Sequence, residues 1–177
     1  MKLVQVHQEG TLILRSSITA IGSFDGVHLG HQTVMKKLVA RSKQLGVPSV
    51  VYTFDPPPRV YFKNVCQLTT IEEKVNRIRE LGVNHVVLAQ FNDEYLNGSV
   101  SHFISDLRAL HPVEIIVGSD FRFGKNRSGG VEDLSEYFQV RVIDQVCCEK
   151  GKVISSSRIR DLLLNGENQE AQSLLNW

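Results

Sequence analysis

Several features that would place a chain in a special class of protein are missing from this sequence. There are three cysteines, Cys66, Cys147 and Cys148, and no Cys-x-x-Cys pair occurs. A disulfide framework is therefore not expected, and a reducing cytoplasm fits this cysteine usage. No apolar run approaches the ~20 residues that span a bilayer, and the amino terminus lacks the apolar core of a signal peptide. With a net charge of +1, the chain also has no broad basic field for nucleic acid.

What remains is the composition of an ordinary globular protein. The 177 residues are 42% hydrophobic and 22% charged, and no internal repeat, low-complexity tract or linker interrupts them. This length is enough for one domain with a substantial core, so we predict a single domain over residues 1–177.

Strands and helices alternate along the chain, as their hydrophobic periodicity shows. Strands are predicted at 2–6, 18–23, 49–54, 86–89, 113–117 and 140–143. Helices are predicted at 31–45, 71–81, from Ser99 or Ser101 to about 110, at 131–138, after the serines at 155–157, and at 167–175. The pattern predicts a doubly wound parallel sheet. If the strands from 18–23 onward lie in the order 3-2-1-4-5, ligands bind between the first and the fourth.

The junction between the strand at 18–23 and the helix at 31–45 carries the main functional signal. Its sequence is Gly22-Ser-Phe-Asp-Gly-Val-His-Leu-Gly-His-Gln32. A helix amino terminus after a glycine-rich turn favours a phosphate group, and histidines add side-chain donors there. A mere tight turn would explain Gly22 and Gly26 but not the two histidines. A zinc site would need more ligands than these histidines, and Asp25 is the only nearby candidate.

Two more strand ends are rich in aromatic residues. The segment 55–62 contains three prolines, which predicts a rigid loop without helix or ladder. Its aromatics could form a wall for a flat ring, although packing of Phe54 and Phe62 into the core is the commoner fate of an aromatic. The segment 118–130 is a second glycine-rich loop with aromatics, and by itself it would be typical of a solvated surface loop.

The third polar cluster opens the helix after residue 154. Ser155, Ser156 and Ser157 are followed by Arg158 and Arg160. A serine at this position is usually only a helix cap. Three hydroxyls, the helix N–H groups and a guanidinium together favour a triphosphate.

These motifs resemble a known family. The stretch Gly-x-Phe-Asp-Gly-Val-His-x-Gly-His resembles the His-x-Gly-His signature of nucleotidyltransferases, and more narrowly the adenylyltransferase module of bacterial FAD synthetase, which is usually fused to a riboflavin kinase. The family's Thr-Phe-[Asp/Glu]-Pro-His-Pro is similar to residues 53–58, with Pro57 in place of histidine. Its Gly-x-Asp-Phe-Arg-Phe-Gly is matched by residues 118–124, and its Ser-Ser-Thr-x-x-Arg by residues 155–160, with Ser157 in place of threonine. The resemblance covers nearly the whole chain, without the kinase half.

The resemblance implies a Rossmann-like α/β fold of the nucleotidyltransferase superfamily and the reaction of FMN with ATP to give FAD and pyrophosphate. It implies Mg²⁺ on the ATP, with no protein ligand that we can name. It also implies three groups of site residues. The catalytic group is His28, His31 and Arg160. The nucleotide-binding group is Gly22, Phe24, Gly30, His31, Asp120, Ser155, Ser156, Ser157 and Arg160. The flavin-binding group is Asp25, Phe54, Pro56, Pro58, Phe62 and Phe123.

Two other functions stay open at this point. The chain could be a related nucleotidyltransferase for another phosphorylated acceptor, although the aromatic loops argue against it. It could also be a non-catalytic flavin- or nucleotide-binding protein, an alternative suggested by Pro57 and by the missing kinase. The expected partners are FMN, ATP, FAD and pyrophosphate, with no nucleic acid and no membrane. FAD is expected from supplied FMN, whereas riboflavin is not expected to be phosphorylated.

Overall fold

The computed structural model describes residues 4–177 as one six-stranded, wholly parallel sheet with helices on both faces. The strands are Gln5–Gln8 (β1), Ser17–Ile21 (β2), Ser49–Asp55 (β3), His85–Gln90 (β4), Pro112–Gly118 (β5) and Val140–Ile143 (β6). The helices are Leu29–Leu45 (α1), Pro58–Lys63 (α2), Ile71–Glu80 (α3), Asp93–Asn97 (α4), Val100–Ala109 (α5), Val131–Ser135 (α6), Ser156–Leu164 (α7) and Asn168–Leu175 (α8).

The strand order is β1-β4-β3-β2-β5-β6, so the direction of winding reverses between β2 and β5. The structure therefore has the 3-2-1-4-5 order that we assumed from the sequence, in which β2 is the first strand and β5 the fourth. The extra strand β1 pairs with β4 at one edge. We predicted it at residues 2–6; Lys2 and Leu3 lie outside the described residues, and the observed strand continues to Gln8.

Apolar side chains cover both faces of the sheet, as a parallel sheet requires. The helices α5 and α6 pack on one face, where Phe103, Leu107 and Leu134 are buried. The helices α1 and α3 pack on the other, through Leu38 and Ile78 among others. A third, smaller apolar cluster lies beneath α7 and α8. Among residues 4–177, no helix is both long and apolar enough to cross a membrane.

The prediction of a helix-free loop over residues 55–62 is wrong. Helix α2 begins at Pro58. Proline is tolerated in the first turn of a helix, where its missing N–H group would have no partner in any case. The residues after Pro58 each have an N–H group that can donate within a helix, as that of Tyr61 does to the carbonyl of Pro57. The prolines therefore exclude a helix only upstream of Pro58. Helix α4 was also not predicted, because its five residues are too few to show a helical period.

Candidate active site

A cavity of about 1020 Å³ opens at the carboxyl ends of the strands. It lies at the reversal of winding, where ligands bind in open α/β sheets. Every site residue predicted above lines this cavity except Pro56, whose neighbours Pro57 and Pro58 do line it. The three polar or aromatic loops and the serine cluster therefore meet at one place.

The two histidines lie at the amino end of α1, where they stack with ring centroids 3.6 Å apart. His28 is the N-cap, and its Nδ1 accepts a hydrogen bond from the backbone N–H of His31 at 3.4 Å. Because Nδ1 accepts, the proton of a neutral His28 lies on Nε2, which makes Nε2 a donor. The Nδ1 of His31 is buried and has no partner among residues 4–177.

Burial keeps both histidines neutral near pH 7. It lowers the pKa of His28 to about 4. It also lowers the pKa of His31 well below the ordinary value, and the nearby His28 and Lys74 lower it further. In the absence of ligand, the pair therefore offers hydrogen-bond donors rather than positive charges.

The histidines follow a strained turn, which we call the histidine loop (residues 22–28). Phe24 and Val27 have φ angles of 47° and 43°. A β-branched residue rarely adopts such angles, so the surrounding structure must hold Val27 in place. Side chains from outside the loop do this by donating hydrogen bonds to its carbonyl groups. Ser23 O accepts from Thr53 and Lys74, Asp25 O from Ser156, Gly26 O from Arg77, and Val27 O from Gln32 and Trp177, at distances of 2.8–3.0 Å.

A buried ion pair joins the histidine loop to α7. The carboxylate of Asp25, only 1% exposed, accepts a charge-assisted hydrogen bond from Nη2 of Arg160. It also accepts from the backbone N–H groups of Leu68 and Thr69. Nε of Arg160 donates to the carbonyl of Cys66 at 2.7 Å, and its Nη1 is buried without a partner among residues 4–177. Asp25 thus ties the loop to two neighbours, and one Arg160 nitrogen is left for a ligand; contacts of these residues with flavin and phosphate stay predictions.

The three serines have three different local partners. Ser155 caps α7 by accepting from the N–H of Arg158 at 3.2 Å. The hydroxyl of Ser156 donates to the carbonyl of Asp25, and that of Ser157 accepts from Nη1 of Arg59 in α2. The amino end of α7 is therefore fixed against the histidine loop on one side and against α2 on the other.

Aromatic rings form the wall of the cavity beside α2. Phe54 is 7% exposed and packs edge-to-face on Phe91 and Tyr95. Phe62 also packs on Phe91 but remains 60% exposed. Phe54 therefore belongs both to the core and to the cavity wall, whereas Phe62 is free to cover a ligand.

The opposite wall is a segment that we call the arginine loop (residues 119–130). Phe123, 6% exposed, anchors it by packing on Phe103 at 4.8 Å between centroids, and the backbone of Phe123 pairs with that of Gly129. Arg122, Lys125 and Arg127 are exposed and line the cavity. This wall therefore presents positive charge around a fixed apolar anchor.

Sequence reasoning missed the side chains that hold the histidine loop from behind. Lys74 left a signal, because it lies three residues after Ile71 and four before Ile78, on the apolar face of α3. Thr53 opens the segment that resembles the family's Thr-Phe motif, but nothing there connected it with the histidine loop. Trp177 left no signal, because it is far from the loop in sequence.

This fold and site define a class of protein: a Rossmann-type nucleotidyltransferase, with its histidine pair at the start of the helix that follows the central strand. The chain belongs to the FAD synthetase family, whose family model matches residues 11–158.

Bacterial relatives share much of the sequence. A Listeria monocytogenes protein named bifunctional riboflavin kinase/FMN adenylyltransferase is 35% identical over 171 residues, which are 92% of this chain and 54% of that protein. A Geobacillus thermodenitrificans protein with a provisional name for the same two activities is 50% identical over 98% of both chains. A crystal structure described as a macrolide-efflux protein from Streptococcus pneumoniae has a TM-score of 0.84 and 28% identity, covering 98% of this chain and 62% of that one. This chain therefore spans about half of the Listeria protein but nearly all of the Geobacillus one.

Proposed function

We propose that this chain transfers AMP from ATP to FMN, giving FAD and pyrophosphate. Membership of the FAD synthetase family and the names of the relatives support this activity. The structural observation that carries it is the neutral histidine pair at the amino end of α1, in a cavity that also has an aromatic wall and a serine-capped helix.

The chemistry suits a site without a general base. A phosphate-monoester oxygen of FMN attacks the α-phosphorus of ATP, a new P–O bond forms, and the bond to pyrophosphate breaks. A phosphate monoester has its second pKa at about 6, so it is largely dianionic near pH 7 and needs no deprotonation. Catalysis then rests on in-line positioning and on stabilising charge on the phosphates. Neutral histidines and helix N–H groups supply donors for this purpose.

The arrangement of the cavity suggests where each substrate binds. The phosphates would meet His28 and His31 at the start of α1 and the serines at the start of α7. Arg160 would donate a hydrogen bond to a phosphate through its unpartnered Nη1. The isoalloxazine would lie toward Phe54 and Phe62, because that wall is aromatic. Asp120 and the cations of the arginine loop would complete the nucleotide side.

Mg²⁺ would accompany the triphosphate. Among residues 4–177, no cluster of three or more His, Cys, Asp or Glu side chains could hold a metal by itself. Mg²⁺ commonly uses one or two carboxylates together with substrate phosphates and water, and Asp120 and Asp144 line the cavity as exposed carboxylates. These residues fit that mode of binding, in which Mg²⁺ neutralises charge on the phosphates.

We infer that the protein works in the cytoplasm. Cys66, Cys147 and Cys148 are all unpaired, which suits a reducing compartment, and ATP is abundant there.

Phe62→Ala tests the flavin wall. A stacked aromatic contributes on the order of 1 kcal/mol beyond area burial, so FMN should bind about fivefold more weakly, while ATP binding stays within about twofold. Since Phe62 is 60% exposed, the melting temperature should change little. FMN fluorescence titration measures the FMN affinity, and thermal unfolding measures the melting temperature. A large drop in melting temperature with unchanged FMN affinity would place Phe62 in the core instead.

The deciding experiment is to incubate the chain with FMN, ATP and Mg²⁺ and to follow FAD and pyrophosphate. FAD formation is the expected result. Parallel reactions with CTP, or with another phosphorylated acceptor in place of FMN, test the related-transferase alternative. Flavin binding without any FAD would favour a non-catalytic protein, and FMN formed from riboflavin would contradict the expected lack of kinase activity.

A further inference from the structure

Lys74 is a fully buried cation that takes no direct part in the mechanism above. It projects from α3 and is 0% exposed. It does not line the cavity, but lies behind the wall that the histidine loop forms. Its Nζ donates hydrogen bonds to the carbonyl of Ser23 at 3.0 Å and to the carbonyl of Phe54 at 3.1 Å.

Burying an ammonium group is costly unless it is well paired, so such a group needs a reason. Ile78, one turn further along α3, is fully buried in the apolar cluster on this face of the sheet, so Lys74 places a charge where the helix otherwise buries an apolar side chain. Burial lowers the pKa of Lys74 to about 8, and the carboxylates of Asp25 and Asp55 partly oppose this shift. Lys74 therefore remains mostly charged at pH 7 at an energetic cost.

The two carbonyl groups that accept from Lys74, those of Ser23 and Phe54, indicate its structural role. Ser23 belongs to the histidine loop, just beyond β2, and Phe54 is the second-last residue of β3, where β3 is still paired with β4. On its other side, β3 has no paired β2 residue beyond Ile21, so the carbonyl groups of Ser23 and Phe54 need donors from elsewhere. Lys74 supplies one donor to each and so fixes one loop relative to the other.

The position of the histidines depends on this link. Ser23 is followed by Phe24, on whose ring His31 packs edge-on at 5.3 Å between centroids. Phe24 has a φ of 47°, so this packing needs the loop to be held in an uncommon conformation.

We propose that Lys74 is a positioning residue for adenylyl transfer, holding the histidine-bearing loop in register with the flavin side of the cavity. The inference rests on the proposed function and adds to it a residue outside the cavity and outside the resembling motifs. It differs from a purely structural role in its consequence. Losing Lys74 should lower turnover in molecules that are still folded and still bind substrates.

Lys74→Met tests this, since methionine fills similar space without an N–H donor. A displacement of about 1 Å can cost about 10²-fold in rate, so kcat for FAD should fall 10- to 100-fold. The KM values for FMN and ATP should stay within about threefold, because the cavity lining is unchanged. Thr53→Val, which removes the neutral donor to the same Ser23 carbonyl, should lower kcat by a smaller factor.

The matched control is Ser17→Ala. Ser17 is also fully buried and donates to a carbonyl, that of Leu110 at 2.8 Å, but it lies at the amino end of β2, away from the cavity. This variant should lose stability and keep its kcat. Thermal unfolding gives the melting temperature of each variant, and all rates are measured well below it.

Each outcome decides the matter. A large kcat loss in Lys74→Met that is absent in Ser17→Ala supports the proposal. A kcat within about tenfold of wild type, or an equal kcat loss in Ser17→Ala, makes Lys74 merely structural, whatever the melting temperature. If Lys74→Met does not fold, Lys74→Leu, which likewise carries no N–H donor, takes its place with the same two outcomes. A wild-type chain that makes no FAD would instead contradict the proposed function, so the two failures are distinguishable.

Discussion

The histidine loop and the arginine loop begin alike and are held differently. Both follow neighbouring parallel strands, both are rich in glycine, and both line the same cavity. Side chains from β3, α1, α3, α7 and the carboxyl-terminal Trp177 hold the carbonyl groups of the histidine loop. The arginine loop is held instead by its own backbone, through the pairing of Phe123 with Gly129, and by the packing of the buried Phe123 ring on Phe103 of α5.

This difference matches the tasks proposed for the two loops. Hydrogen-bond donors that stabilise a transition state must stay within a few tenths of an ångström of their place, and external ties achieve this. Cations that attract a polyanion need less exact positions, because charge acts over several ångströms. The comparison therefore predicts loss of stability or turnover from changes in the histidine loop, and weaker binding from changes in the arginine loop.

The largest expected effect is the loss of stability in Asp25→Asn. The variant leaves Arg160 buried without its counter-charge, which typically costs 3–5 kcal/mol. Urea unfolding measures it. Asp120→Asn, the matched change in the arginine loop, alters an exposed carboxylate and should stay within about 0.5 kcal/mol. Equal effects in the two variants would remove the contrast between the loops.

His28→Ala and His31→Ala should each lower kcat by about 10²–10³-fold, since each removes a donor aimed at charge on the reacting phosphates. FMN affinity should change far less. Steady-state rates of FAD formation at saturating FMN and ATP measure this effect. If either variant turned over at nearly the wild-type rate, the catalytic role of that histidine would be wrong.

The pH dependence of stability should carry the signature of buried His28. Its pKa is about 4 in the folded chain, against about 6.5 when exposed, so between these values the unfolded state binds more protons. Stability therefore falls as pH drops from about 7 to 4, by at most about 3 kcal/mol from this group. His28→Gln should make that part of the urea-unfolding profile less steep, and His31, whose pKa burial lowers as well, should account for the slope that remains. Ser17→Ala, which changes no titratable group, should leave the slope of the profile as it is.

Arg127→Gln should give the smallest effect. An exposed cation contributes up to about 1 kcal/mol, so KM for ATP should rise by no more than about fivefold while kcat stays within about twofold. The increase should shrink as salt is added. Arg15→Gln serves as the control, because Arg15 is exposed before β2, outside the cavity. A kcat loss as large as that of His31→Ala would show that the arginine loop also takes part in the chemistry.

The sheet, and the convergence of the loops on one cavity, could be predicted from the sequence. The side chains that hold the histidine loop in place could not. Strands such as β3 consist mostly of β-branched and apolar residues, and the position of the cavity could be inferred once the strand order was assumed. Helix α2 was missed because we took the three prolines to exclude a helix throughout the segment, although the residues after Pro58 can donate helical hydrogen bonds. Lys74 and Trp177 contact the histidine loop from 51 and 150 residues away, and local patterns do not encode such pairs.

Trp177 gives the protein a built-in optical reporter. It is the only tryptophan in the chain, and its indole N–H donates to Val27 O, one of the two strained positions beside the histidines. Arg77, which donates to Gly26 O, lies over the same ring at 5.3 Å. Indole emission responds to local polarity and to neighbouring charge. The intrinsic fluorescence of the unlabelled protein therefore follows this one turn, and a stopped-flow trace of substrate binding can record its movement in real time.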